Sequence, residues 1–164
     1  MKYQWAHKTN CQGADGVQNN LNLELVAPCG INCAVCMRFL ATKRGLNESL
    51  RMPICTGCRP RNKKCKFIRA SCALLSQEKI RFCFECPQYP CRRLQTLNRR
   101  YMTKYDTNLI DNLNEMKKIG IEEWLKKERE KWRCPSCQGL VSLHNKKCYE
   151  CGYQKDSRNK AKTQ

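Results

Sequence analysis

The sequence predicts a small α+β fold nucleated by metal: an irregular cysteine-rich domain, a helical connector and a C-terminal zinc ribbon. Three observations predict it. Fifteen of the 164 residues are cysteine, a density at which a short chain is cross-linked by disulfides or metal rather than held by packing alone. Many of those cysteines come as pairs separated by two residues, the spacing of metal-ligand knuckles. Between them the apolar pattern passes from a short alternating run to helical spacing.

At this length the chain is one ordinary domain or two small modules, neither able to bury much apolar surface. The N-terminal stretch MKYQWAHKTNCQGADGVQNN has no apolar run long enough for a signal peptide or a membrane span. The expected location is therefore the reducing cytoplasm, where cysteine pairs serve as metal ligands rather than disulfides. With His7 and His144 the only histidines, the sites should be mostly all-sulfur, which selects zinc or iron–sulfur.

Residues 1–22 are polar and read as a flexible leader, with Cys11 as a free surface thiol. Residues 23–101 form the cysteine-rich domain. Its opening, LNLELVAP, alternates apolar and polar residues and stops at a proline, which predicts a short strand. The strand leads into CGINCAVC, and MRFLATKRGLNESL then has a helical pattern with Met37, Leu40 and Ala41 on one side. From Pro53 to Pro90 there is room for one short apolar helix around FIRASCALL, where Cys72 reads as a small hydrophobe rather than a ligand. CRRLQTLNRRY predicts a basic helix with Leu94 and Leu97 facing inward.

Residues 102–131 are the connector. Its first helix is capped by Thr107, carries Leu109, Leu113 and Met116 at helical spacing, and ends at Gly120. Its second, IEEWLKKEREKW, is acidic early and basic late, as the helix dipole favours. The charges from Lys117 to Arg133, including Glu122, Glu123, Glu128 and Glu130, read as a solvated face. Residues 132–153 are the ribbon, with LVSL as strand material, and 154–164 are a disordered basic tail.

The ribbon carries the clearest chemistry. Cys134, Cys137, Cys148 and Cys151 form two CxxC knuckles around a hairpin, the arrangement that places four thiolates tetrahedrally around zinc. Gly139 and Gly152 follow the knuckles and are expected to let the backbone turn. His144 reads as a solvated loop residue. Upstream, the candidate ligands are Cys29, Cys33, Cys36, Cys55, Cys58, Cys65, Cys83, Cys86 and Cys91. With Cys72 that makes ten cysteines, of which two four-cysteine sites would use eight. The pairs Cys33 with Cys36, Cys55 with Cys58 and Cys83 with Cys86 should each serve one metal, and the rest of the pairing stays open. About three zinc sites result. The alternative is a 4Fe-4S cluster within residues 29–91, for electron transfer or redox sensing.

Cys29-x3-Cys33-x2-Cys36 has the spacing of the cluster loop in radical S-adenosylmethionine enzymes, a remote variant of that alternative. Against it, Val35 stands where that loop usually carries an aromatic residue, and the chain has no Gly-Gly pair. Taken together, APCGINCAVC, CTGC, CKFIRASCA and CFECPQYPCRRL, followed by the ribbon, resemble a family of small cysteine-rich bacterial and archaeal proteins of unknown function. The resemblance spans roughly residues 27–153 and implies metal binding, with no activity to carry over.

The formal charge of +18 counts cysteine as neutral. A four-thiolate zinc site carries −2, so three such sites would lower the net charge to about +12. Between Arg59 and Arg100 there are twelve lysines and arginines against Glu78 and Glu85. Arg59, Arg61, Lys63, Lys64, Lys66, Arg92, Arg93, Arg99 and Arg100 are candidate phosphate contacts. Phe67, Phe82, Phe84 and Tyr89 lie among them, either to stack on bases or to fill the core. HExxH, phosphate-loop and nucleophile-elbow patterns are absent from the sequence. The reading is a non-enzymatic zinc-binding module whose basic surface meets nucleic acid or an acidic protein, with no membrane partner.

Overall fold

The structure, a computed structural model, describes residues 22–59, 68 and 71–155. Cys11, Arg61, Lys63, Lys64, Cys65, Lys66 and Phe67 lie outside the described residues, as do most of the leader and the tail.

Among the described residues the fold is largely helical, with α1 (Met37–Lys43), α2 (Ala73–Ser76), α3 (Arg92–Tyr105), α4 (Leu109–Ile119) and α5 (Ile121–Lys131). Three 3-10 turns, Leu23–Leu25, Cys33–Val35 and Cys83–Glu85, link them to the cysteine loops. Among the described residues strand pairing is confined to isolated antiparallel bridges: Val26 with Asn32, Arg133 with Leu140, Val141 with Cys148, and Lys147 with Gln154. The fold is thus small and largely helical with few strands, where an α+β class was expected. A strand needs a ladder partner, and the segment after Asn22 has none beyond that first bridge; it coils instead, with Asn22 Oδ1 accepting from the Glu24 amide at 3.0 Å.

α1 is shorter than its apolar pattern suggests. Gly45 takes a left-handed φ of +63° and the Leu46 amide turns back to the Ala41 carbonyl at 2.9 Å, which closes the helix as a Schellman-type turn does. The FIRASCALL helix likewise contracts to the four residues of α2, with Cys72 just before it in extended conformation. At α4 the expected Thr107 cap is replaced by Asn108, whose side chain accepts from the Ile110 and Asp111 amides. Thr107 is buried and its hydroxyl donates to the Tyr105 carbonyl.

The connector helices share one core with the cysteine loops. Val26, Ala27, Cys29 and Phe82 pack with Leu94 and Leu97 of α3, Leu109, Leu113 and Met116 of α4, and Trp124 and Leu125 of α5. Two buried asparagines tie this core together. Asn98 of α3 accepts from the Leu109 amide at 2.6 Å and so satisfies a helix-start donor that has no intrahelical partner. Asn112 of α4 donates to the Gly30 carbonyl at 3.0 Å, anchoring the first cysteine loop to α4.

The C-terminal module docks through a second, smaller cluster of Val35, Trp132 and Leu143. The Leu143 amide donates to the Val35 carbonyl at 2.9 Å, and the Val141 amide to the Trp132 carbonyl at 2.8 Å. Glu128, expected on a solvated face, is buried because its carboxylate accepts from Trp132 Nε1 at 2.9 Å and from Lys131 at 3.0 Å. His144 is corrected too. It is half-buried, its ring lies against Tyr101 and Tyr105 with centroids 6.0 and 4.7 Å away, and Nδ1 accepts from the Met37 amide at 3.4 Å. Burial, with Lys146 and Arg38 adding to it, lowers the His144 pKa to about 4, so the ring is neutral at physiological pH.

Candidate metal centre

The two C-terminal CxxC knuckles, Cys134 with Cys137 and Cys148 with Cys151, are copies of one backbone device. The amide of the first cysteine donates five residues ahead, Cys134 to the Gly139 carbonyl at 2.7 Å and Cys148 to the Tyr153 carbonyl at 2.8 Å. Four residues after each first cysteine an amide returns to its carbonyl, Gln138 to Cys134 at 3.0 Å and Gly152 to Cys148 at 3.1 Å. That fourth position takes a left-handed φ in both copies, +62° at Gln138 and +80° at Gly152. The turn residue of the first knuckle is therefore Gln138, not the expected Gly139. Gly139 serves for space: a Cβ there would sit 2.9 Å from Glu150 Cγ and 3.3 Å from Cys137 Sγ.

These turns bring the sulfurs of Cys134, Cys137, Cys148 and Cys151 within 4.8 Å of one another. Cys134 Sγ lies 3.7 Å from Cys151 Sγ, and Cys137 Sγ 3.6 Å from Cys148 Sγ. A tetrahedral zinc with Zn–S bonds of about 2.3 Å needs sulfurs about 3.8 Å apart, whereas a disulfide needs about 2 Å. The donor set fits a four-coordinate cation.

The electrostatics agree with this fit. Burial pushes the Cys137 and Cys148 thiols up, although the amides of Gly139, and of Cys151 and Glu150, point at their sulfurs and favour the thiolates. At Cys151 burial also opposes ionisation, but the Tyr153 amide and hydrogen bonds from Cys137, Cys134 and Ser136 bring the thiol down to about 7. Four crowded thiolates repel one another, and a dication is what lets all four lose their protons.

Among the described residues this is the one group whose ligand atoms all come so close, but the upstream cysteines are not scattered. Cys33, Cys36, Cys55 and Cys58 gather beside α1. The Cys58 amide donates to Cys33 Sγ at 3.4 Å, while the Cys55 loop is held to α1 by its amide donating to Thr42 Oγ1 at 2.9 Å. The Cys33 thiol is pushed far up by its hydrogen bond with Cys58 and by burial. Burial raises Cys36 as well, with Cys55 and Cys58 adding to it against the Phe39 and Arg38 amides. Cys29 is buried in the main core with Cys33. Cys72, Cys83, Cys86 and Cys91 line a second pocket, under α3.

The basic candidates divide. Arg59 is a structural clamp: its guanidinium donates to the Val26 and Arg81 carbonyls, each at 2.7 Å, and covers the Phe82 ring at 4.5 Å. Phe82 is buried and stacks on Phe84 with centroids 5.3 Å apart, while the Tyr89 hydroxyl donates to Asn114 at 2.7 Å. These aromatics fill the core. Arg92, Arg93, Arg99 and Arg100 are exposed on α3.

Fold and site together define a small, largely helical, cysteine-rich protein with a four-cysteine group able to hold a metal ion. A family described as "Protein of unknown function (DUF3795)" matches residues 25–96, which takes in the upstream cysteines and the first part of α3 but not the ribbon. Comparison with curated proteins and with solved structures gave no match. No helix among the described residues is long and apolar enough to cross a membrane.

Proposed function

We propose that this chain is a non-enzymatic zinc protein that presents a basic helix to the phosphate backbone of a nucleic acid. The observation that carries the reading is the outer face of α3. At 100° per residue, Arg92, Thr96, Arg99, Arg100, Thr103 and Lys104 fall within an arc of about 140°, and all six are exposed. The helix contains no acidic residue. Arg92 stands in its first turn, where the dipole disfavours cations, so helix stability does not account for it; Arg93 beside it lines the pocket under the helix and donates to the Ser71 carbonyl.

The cysteine groups hold this helix at both ends. Cys91 is the N-cap of α3 and belongs to the pocket under it. At the other end the ribbon module reaches Tyr105, where Lys146 Nζ donates to the carbonyl at 3.0 Å and His144 packs on the ring. Zinc would fix the ends with four sulfurs each and without redox change. The aromatics are spent in the core, so the expected contact is backbone charge neutralisation rather than base stacking.

Two measurements test this. Elemental analysis and a visible spectrum on protein purified without oxygen should give about three zinc per chain and no absorption near 400 nm; iron with acid-labile sulfide would replace the reading with a redox one. Binding of a labelled duplex oligonucleotide, read by anisotropy, should weaken with salt at a log–log slope of about −3.6 for four cations. Arg99→Glu with Arg100→Glu should flatten that slope by about two and weaken binding at least tenfold at low salt. Unchanged affinity in that variant, or no binding at low salt, would leave the basic helix to an acidic protein partner or to internal charge balance.

A further inference from the structure

The pocket under α3 holds four thiols that the sequence had not grouped. Cys72, Cys83, Cys86 and Cys91 line one cavity of about 30 Å³, together with Leu94 and Arg93. They come from three places: the residue before α2, the 3-10 turn Cys83–Glu85 with Cys86 after it, and the N-cap of α3.

The backbone of that turn matches the turn from Cys33 to Cys36. Cys36 closes its turn at φ −75°, ψ 129°, and Cys86 at φ −76°, ψ 134°. In each the second cysteine's amide donates to the first one's carbonyl, at 3.0 Å for Cys36 to Cys33 and 3.2 Å for Cys86 to Cys83. Amides aimed at sulfur recur as well: Gln88 donates to Cys86 Sγ at 3.4 Å, two residues on, as Arg38 does to Cys36, Gly139 to Cys137 and Glu150 to Cys148. Such bonds stabilise a thiolate and orient it as a ligand.

From this geometry we infer that Cys72, Cys83, Cys86 and Cys91 are the four ligands of a second zinc site at the foot of α3. The inference rests on the zinc reading above and says which thiols share a metal. The four thiols would release their protons to solvent on binding, leaving a formal −2 that faces the N-terminus of α3 and Arg93. Those two positive partners are what an electron-rich zinc–thiolate group requires. Cys72 acting as a small hydrophobe does not explain why three further thiols line the same cavity; their sulfurs are not all within 4.8 Å of one another, as those of Cys134, Cys137, Cys148 and Cys151 are.

The test uses the full chain loaded with cobalt(II), whose intensity near 350 nm counts sulfur bonds and whose d–d bands report a tetrahedral site. Wild type should bind about three cobalt ions, and Cys72→Ser should lose about one or show one site with a weaker sulfur band. A full complement of sulfur-ligated cobalt in Cys72→Ser overturns the ligand set while leaving the zinc reading intact; about one cobalt in wild type overturns both. Should Cys72→Ser fail to fold, alkylation of the wild-type zinc protein at graded chelator decides. Cys72 becoming labelled together with Cys83, Cys86 and Cys91 supports the set, and Cys72 labelled while those three stay protected overturns it.

Discussion

Replacing Gly30 by alanine tests whether α4 and the first cysteine loop are one packed unit. Gly30 has φ +87°, and a Cβ there would lie 2.7 Å from the Leu109 carbonyl oxygen and 2.9 Å from Leu113 Cγ. Leu109 and Leu113 are both fully buried, and Asn112 between them already bonds the Gly30 carbonyl, so the helix cannot retreat without losing that bond. Gly45 is the matched control: its φ is +63° and nothing lies within 4 Å of a Cβ built on it. Alanine in left-handed conformation costs about 1 kcal/mol at either position, and forcing a methyl into packed structure adds about 1–3 kcal/mol at Gly30 alone. At roughly 4 °C per kcal/mol for a chain of this size, Gly45→Ala should lower Tm by about 4 °C and Gly30→Ala by about 8–16 °C. Thermal unfolding followed by circular dichroism at one fixed free-zinc concentration measures both, since bound metal itself moves Tm. Equal shifts in the two variants would refute the close approach of α4 to the loop.

Cys134→Ser or Cys148→Ser should release about one zinc per chain and make residues 132–153 the first segment cut by protease, because so small a hairpin folds with its metal. Gln138→Gly relieves a left-handed side chain and should raise ribbon stability by roughly 0.5–1 kcal/mol, read from the chelator concentration that strips its metal. For His144 the folded pKa of about 4 lies below the ordinary 6.5, so its contribution is fully present above pH 6.5 and is lost as pH falls toward 4. Between pH 7.5 and 5.5 the stability lost should be about 1 kcal/mol after allowance for solvent screening. The groups facing the ring are Tyr101, Tyr105, Lys146 and Arg38. Urea midpoints of wild type and His144→Gln at those two pH values check this, and an unchanged pH dependence in the variant counts against a neutral buried ring.

The four-cysteine group was legible in the sequence because CxxC spacing is local: each knuckle is a turn of a few residues, and the hairpin between the two is short enough to bring them together. The helices α3 to α5 were legible for a related reason, since Leu94 and Leu97, or Leu109, Leu113 and Met116, mark one face at 3.6-residue spacing. What failed to form as expected depended on partners distant in the chain. LNLELVAP alternates like a strand but meets no ladder beyond one bridge, and FIRASCALL gives way to a short helix whose preceding cysteine joins the pocket under α3.

Composition and spacing alone determined that this protein is rich in paired cysteines, one group of which is able to hold a metal ion, and that it carries a large excess of positive charge. Tertiary structure decided which of those features meet. It buried Glu128 beneath Trp132, neutralised His144 between two tyrosines, withdrew Arg59 and Phe82 into the core and left α3 to present the outward cations. It also gave the turn of the first ribbon knuckle to Gln138. The reason is common to all of these: burial, electrostatic environment and thiol grouping are set by contacts between residues tens of positions apart, whereas helix periodicity and knuckle spacing are set within a few.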